Sequence, residues 1–198
     1  MKIVGLTGSI GMGKSATAQM FRDAGIPVFD SDACVHALYD AGGAAVGPVE
    51  AAFPGTTGAD GSIDRERLSA ALREDPGGFE RLEAIVHPLV AEARQDFLDA
   101  AGRDGADIVI LDVPLLFETG GHLHVDAVIA VHAPHDVRRE RVLQRPGMTD
   151  AKLEAIIARQ TPDSVKLEKS DYVVETSGGF DDARQQVGKI IAALRAHE

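Results

Sequence analysis

Residues 8–15 read GSIGMGKS, and they follow the short apolar run KIVGLT at residues 2–7. The octet satisfies the pattern G-x-x-x-x-G-K-[ST] of phosphate-binding loops (P-loops). In such a loop, glycine lets the backbone bend until several N–H groups point at one phosphate, and the following helix adds its unpaired N–H groups and its dipole. The stretch therefore predicts a buried strand over Lys2–Leu6, then a nucleotide phosphate site, then a helix.

The side chains of the loop have predicted roles. Lys14 would bridge the β- and γ-phosphates of the nucleotide, and the Ser15 hydroxyl would bind Mg²⁺. The alternative, a glycine-rich turn without a ligand, does not explain why Lys and Ser follow at this spacing behind a strand. The predicted nucleotide-binding residues of the loop are Gly8, Gly11, Met12, Gly13, Lys14, Ser15 and Ala16.

Short apolar runs predict the fold class. They are nearly continuous in Val, Ile and Leu, which is typical of strands buried on both faces, and helical stretches lie between them. We therefore predict an α/β fold with a five-stranded, mainly parallel sheet. The predicted strands are Lys2–Leu6, Ile26–Phe29, Ile108–Leu111, Ala127–Val131 and Tyr172–Val174.

Two long connections extend this core, and we predict one domain over 1–198. Residues 31–105 form an insertion, either a substrate lobe or a purely structural one, and residues 134–169 form a second lobe interrupted at Pro146, Gly147 and Pro162. The core then comprises residues 1–30, 106–133 and 170–198. The helices predicted in the insertion are Ala33–Tyr39, Val46–Phe53, Arg65–Arg73 and Phe79–Ala101.

Composition limits the classes of function. The chain has 198 residues, a net charge of −11, no Trp and only 5% aromatic residues, so we expect an aliphatic core and no broad nucleic-acid surface. The N-terminus does not have the pattern of a signal peptide, and no stretch is long and apolar enough for a membrane span, so we expect a cytoplasmic protein. The single Cys34 allows no internal disulfide; it is either a reactive thiol or, as we favour, a small half-buried side chain.

Acidic residues follow the predicted strands. Asp30 and Asp32 follow the second strand and Asp112 the third. Because the carboxyl ends of parallel strands meet at one sheet edge, a carboxylate there can hold Mg²⁺ or orient an attacking hydroxyl. For Asp30, the alternative role of a helix cap is equally well supported.

Arginines are concentrated in the second lobe, and we predict that they lie on one helix. Arg138, Arg141 and Arg145 are spaced three and four residues apart and would share a face. An Arg from a closing lid can stabilise the charge that develops during phosphoryl transfer. We expect Arg138 and Arg139 to face solvent.

The chain resembles dephospho-CoA kinases nearly end to end. The segments that carry the resemblance are IVGLTGSIGMGKS, GIPVFDSDA, DGSIDRERL, LEAIVHPLV, LDVPLLFE and RVLQR. The pair His87–Pro88 and the DVPLLFE segment are the most specific of these. The resemblance implies a P-loop kinase-type three-layer sandwich with a helical substrate lobe and a lid, and the phosphorylation of the ribose 3′-hydroxyl of dephospho-CoA by ATP.

The resemblance also implies roles for individual residues. Lys14, Asp32 and Arg141 would be catalytic, with Asp32 either the base or a ligand of a Mg²⁺-bound water. Arg145 would bind the nucleotide, and Asp112 would join Ser15 at the metal. The acceptor would contact Asp32, Arg65, His87, Leu115, Leu116, Phe117 and Glu118, although His87 could equally be a packed residue at a helix start.

Two departures from the family pattern concern the nucleotide. Ala16 stands where the family usually has Thr, and the segment Glu175–Gly179 lacks the usual Asn near the adenine. Other small-molecule P-loop kinases, for nucleoside monophosphates or shikimate-like acids, are rival interpretations, and a regulatory nucleotide switch is a weaker one. The sequence lacks the N-K-x-D motif with which a GTPase-type switch reads its base.

Overall fold

A computed structural model describes residues 1–196, which form a five-stranded sheet surrounded by helices. The strand order is β2-β3-β1-β4-β5; β1 pairs in parallel with β3 and β4, and β4 pairs in parallel with β5. The predicted α/β class with a five-stranded parallel sheet is confirmed. The strands are β1 (Lys2–Thr7), β2 (Val28–Asp30), β3 (Ile108–Asp112), β4 (Ala127–His132) and β5 (Tyr172–Glu175).

The four helices of the insertion fall close to their predicted limits. Those outside the insertion are α1 (Lys14–Asp23), α6 (His135–Leu143), α7 (Asp150–Ile157), α8 (Asp163–Glu168) and α9 (Phe180–Ala196). Those of the insertion are α2 (Ser31–Tyr39), α3 (Val46–Ala52), α4 (Arg65–Glu74) and α5 (Gly78–Arg103), and a 3₁₀ turn covers Gly121–His124. No helix within residues 1–196 is long and apolar enough to cross a membrane.

The sheet is buried because its strands carry apolar side chains on both faces. Val4, Leu6 and Ile110 belong to the main core cluster, and Val109 and Leu111 on the opposite face of β3 are buried as well. Each such side chain contributes roughly 1.5–3 kcal/mol relative to an exposed one. The core is mainly aliphatic, as the composition predicts.

The chain divides into two compact units. One unit is Asp30–Ala100, a range close to the predicted insertion, and the other contains the residues on either side of it. The Asp30–Ala100 unit has its own core, in which Val49 of α3 and Phe53, directly after that helix, pack with Leu68 and Leu72 of α4. The insertion is therefore a packed unit with its own hydrophobic core and not an extended surface loop.

Candidate active site

Helix α1 begins without a side-chain cap among residues 1–196, and its first turn contains no acidic residue. Helices α2 and α7 are capped, since Asp30 accepts a hydrogen bond from the Ala33 N–H at 2.9 Å and Thr149 accepts one from the Lys152 N–H at 3.3 Å, whereas α3, α6 and α8 resemble α1 in having no side-chain cap within residues 1–196. An uncapped N-terminus offers N–H groups and a positive dipole end to an anion. The start of α1 therefore has the features of a phosphate site. The bond to Ala33 also shows that Asp30 acts as a helix cap.

Glycine is required at two positions of the loop. Gly11 and Gly13 have φ of 78° and 94°, in the left-handed region that disfavours other residues. A Cβ on Gly11 would lie 2.6 Å from Val142 Cγ2, and one on Gly13 would lie 3.2 Å from Thr176 Oγ1. A side chain at either position would therefore strain the backbone and crowd these neighbouring atoms.

Lys14 and Asp112 meet at the carboxyl end of the sheet. The Lys14 Nζ lies 2.5 Å from the Asp112 Oδ1, and Asp112, the last residue of β3, is only 2% exposed. The Ser15 hydroxyl stands exposed in the first turn of α1. A hydroxyl and a carboxylate are oxygen donors of the kind that Mg²⁺ takes together with substrate phosphates, so Ser15 and Asp112 fit the predicted metal.

A cavity of about 280 Å³ lies beside the loop and α1. Its lining residues are Gly13, Ala16, Thr17, Met20, Arg141, Thr176, Gly179, Phe180 and Ala183. Most of these side chains are apolar or small, which suits the flat ring of a nucleotide base. Both departures from the family pattern, Ala16 and the Glu175–Gly179 segment, therefore fall on this cavity.

Thr176 connects the phosphate loop to α6 at the cavity, and sequence reasoning did not single it out within the Glu175–Gly179 segment. Its hydroxyl donates to the Met12 carbonyl at 2.7 Å and accepts from Arg141 Nη1 at 2.8 Å. Its carbonyl accepts from Arg141 Nη2 at 2.7 Å. Arg141 is therefore held at the cavity by a two-point contact.

Two of the other arginines, Arg138 and Arg145, differ from the prediction, while Arg139 is exposed as expected. Helix α6 ends at Leu143, so Arg145 lies beyond it in a turn, exposed, and the four arginines do not share one helix. Arg138 does not face solvent: it is 5% exposed, and its Nη1 lies 2.6 Å from Asp163 Oδ2. Arg139 is half-exposed and pairs with Asp150 at 2.6 Å. Tertiary contacts that α6 makes with α8 explain why helical spacing alone misplaced Arg138.

The segment after β3 serves mainly to pack and to pair. Leu116 and Phe117 are buried in a small core cluster with Val128, whereas Leu115 is 43% exposed. The Glu118 Oε1 lies 3.1 Å from the Lys166 Nζ and accepts from the Thr161 N–H. Burial alone would raise the pKa of Glu118, but these hydrogen bonds and the nearby ammonium outweigh it and lower the pKa.

In the Asp30–Ala100 unit, Asp32 lies exposed in the first turn of α2. Arg65, the first residue of α4, lies 3.0 Å (Nη1) from His36 Nε2, and its guanidinium is 5.9 Å from the centroid of the Tyr39 ring. These contacts hold an exposed cation beside an aromatic ring, an arrangement that can bind an anionic group.

The sequence also left alternative roles open for two other residues of this unit, His87 and Cys34. His87 is exposed in the middle of α5, so the interpretation as a packed residue at a helix start is wrong. Cys34 is half-buried, and burial raises the pKa of its thiol, which disfavours the reactive thiolate.

The chain is similar to known proteins over nearly its whole length. The model of the family described as dephospho-CoA kinase matches residues 2–182. A dephospho-CoA kinase of Nitrobacter winogradskyi is 54% identical over 193 residues, which cover 98% of this chain and 96% of that protein.

Solved structures share the fold. The Thermus thermophilus protein TT1252 is 32% identical with a TM-score of 0.80, covering 98% of this chain and 97% of its own. The dephospho-CoA kinase of Campylobacter jejuni has a TM-score of 0.69 at 20% identity, with the same coverage, and shows likeness of fold alone. With a phosphate loop at the head of α1 and a family match over residues 2–182, the chain belongs to the dephospho-CoA kinase family.

Proposed function

We propose that the protein transfers the γ-phosphoryl group of ATP to the ribose 3′-hydroxyl of dephospho-CoA, giving CoA and ADP. The observation that carries this proposal is the family match over residues 2–182, which includes the phosphate loop and the segments after β2 and β3. The 3′ oxygen bonds to the γ-phosphorus, the bond to the β–γ bridging oxygen breaks, and the hydroxyl proton passes to a base. Phosphoryl transfer of this kind depends mainly on positioning and on charge stabilisation.

The donor would bind in the unit that contains the sheet. The base fits the apolar cavity, and the phosphates fit the uncapped N-terminus of α1, with Gly8, Met12 and the other loop residues around them. Lys14 would leave or share its contact with Asp112 to reach the β- and γ-phosphates. Mg²⁺ at Ser15 and Asp112 would neutralise phosphate charge when bound. Arg145, exposed next to α6, remains our proposal for a further nucleotide contact.

Each acceptor contact that we propose is an exposed side chain. Asp32 is proposed as the base that takes the 3′-hydroxyl proton, Arg65 as an anion contact, and His87 as a further acceptor contact. Of the segment Leu115–Glu118, Leu115 is the exposed side chain and the one that we propose touches the acceptor. The protein acts in the cytoplasm on small molecules, without nucleic acid or membrane as a partner.

Replacing Arg141 with alanine is expected to lower kcat/KM for ATP by about 10–100-fold, the value of a lost charge-assisted contact. Its guanidinium lines the nucleotide cavity, so KM for the acceptor should change little. Arg139→Ala is the matched control, because Arg139 lies on the same helix but pairs with Asp150. Steady-state kinetics with either substrate varied measures both. A loss confined to acceptor KM would place Arg141 in the acceptor site instead.

The proposed function is tested by supplying Mg²⁺·ATP with dephospho-CoA, AMP, adenosine or shikimate in turn and following ADP formation. We expect kcat/KM for dephospho-CoA to exceed that for AMP by about a hundredfold or more, because binding energy from the pantetheine arm can be used for positioning. Efficient phosphorylation of AMP or shikimate, with none of dephospho-CoA, would overturn the substrate and leave a kinase of another acceptor.

A further inference from the structure

A network of charged side chains holds the phosphate loop from outside the nucleotide cavity. The Ser9 hydroxyl donates to Asp163 Oδ1 at 2.6 Å and lies 3.3 Å from the Lys166 Nζ, which donates to it. Asp163 Oδ2 accepts from Arg138, and Lys166 pairs with Glu118. We call this set, Ser9, Glu118, Arg138, Asp163 and Lys166, the loop brace.

The two cations of the loop brace are buried, and its two carboxylates are only partly exposed, at 29% for the Asp163 side chain and 18% for that of Glu118. Lys166 is 2% exposed and Arg138 is 5% exposed, while the carboxylates of Asp163 and Glu118 balance their charges. The buried Arg138 Nε has no hydrogen-bond partner within the described part of the chain. Burying two cations, one of them with an unmet donor, costs free energy, so this network is weak evidence for stability and is better explained by a requirement for one arrangement.

The brace acts on the loop at consecutive residues. Because the Ser9 hydroxyl both donates and accepts, its rotamer is held from two sides. The next residue, Ile10, donates its N–H to Gln160 Oε1 at 3.3 Å. The first half of the phosphate loop is therefore anchored to the segment 160–166, and this anchoring does not involve the N–H groups at the start of α1.

The same network also places α6 against the loop. A Cβ on Gly11 would lie 2.9 Å from Arg138 Cγ, so the helix packs directly on the loop backbone. Arg141, about one turn further along α6, lines the nucleotide cavity. A change that breaks the ion pair between Arg138 and Asp163 would therefore disturb both the loop and the position of the Arg141 side chain at the cavity.

We propose that Asp163 and Lys166 are positioning residues for the phosphoryl donor: through Ser9 and Arg138 they hold the phosphate loop and α6 in the binding arrangement before the nucleotide arrives. The proposal rests on the proposed function in that it takes ATP as the ligand of the loop. A site held in its bound form loses less freedom on binding, so the brace raises affinity without touching the nucleotide.

The experiment measures the Kd for Mg²⁺·ATP by calorimetry, together with the melting temperature. It compares the parent protein with Ser9→Ala, Asp163→Asn and the double variant. Asp150→Asn is the matched control, because it removes an arginine-paired carboxylate that lies on the surface. Ser9→Ala removes one hydroxyl and leaves the buried charges paired, so it remains informative if Asp163→Asn fails to fold.

We expect each single substitution to raise the Kd for ATP about tenfold. The Kd of the double variant should equal the higher of the two single-variant values, because both changes break the same contact. Asp150→Asn should stay within about twofold of the parent. A folded Ser9→Ala protein with a Kd within about twofold, or only a lowered melting temperature, would overturn the proposal and leave the brace a purely structural feature. If the parent binds ATP but does not phosphorylate dephospho-CoA, the proposed function fails while the Kd series still decides this inference.

Discussion

Lys14→Ala is expected to lower kcat by about 10²–10³-fold, the usual cost of removing one donor that stabilises transition-state charge. Lys14 is the cation of the phosphate loop itself, and its Nζ already lies at the carboxyl end of the sheet, 2.5 Å from Asp112. Stopped or steady-state assays of ADP formation with saturating dephospho-CoA measure the loss.

Thermal unfolding of the same variant separates chemistry from stability. Removing Lys14 takes a cation away from the buried Asp112, so some loss of stability is expected as well. Lys14→Met keeps most of the apolar stem, and its kcat should fall as far as that of Lys14→Ala. If either variant retained kcat within about threefold of the parent, Lys14 would not contact the transferred phosphoryl group.

Asp32→Asn is expected to lower kcat by about 10²–10⁴-fold, the contribution of a general base, with little change in the Kd for ATP. An amide keeps the size of the side chain but cannot accept the 3′-hydroxyl proton. Asp32 is exposed in the first turn of α2, so losing its charge should cost only about 0.3–1 kcal/mol of stability through the helix dipole.

Asp30→Asn provides the matched control two residues away. Asp30 caps α2 through the Ala33 N–H, and asparagine caps helices equally well, so this variant should fold normally and keep most of its activity. A large rise in the Kd for Mg²⁺·ATP in Asp32→Asn, with a modest change in kcat, would instead make Asp32 a ligand of a metal-bound water.

The fold and the phosphate loop could be predicted from the sequence because their signals are local. Continuous apolar runs mark the strands, and the glycine positions with Lys14 mark the loop regardless of what packs around them. Gly11 and Gly13 illustrate this, since a positive φ is a requirement of the backbone at the residue itself. The helix limits of the insertion followed for the same reason, as with Asp64, which caps α4 through the N–H groups of Glu66 and Arg67.

The surroundings of the loop could not be predicted because they depend on contacts between distant residues. The Ser9–Asp163 hydrogen bond joins residues 154 positions apart, and the Arg141–Thr176 contact joins residues 35 apart. Nothing in the local spacing of α6 distinguishes the buried Arg138 from the exposed Arg139. The same holds after β3: Leu115 and Leu116 are adjacent residues of the same type, and only tertiary packing makes the first exposed and the second buried.

The position of the transferred phosphate tests the proposed reaction most directly. Phosphorus NMR and mass analysis of the product formed from dephospho-CoA and Mg²⁺·ATP should show one added phosphoryl group, as a phosphomonoester on the ribose 3′ oxygen, with ADP and product in equal amounts. A phosphate on another atom of the acceptor, or ADP released at the same rate without dephospho-CoA, would contradict it.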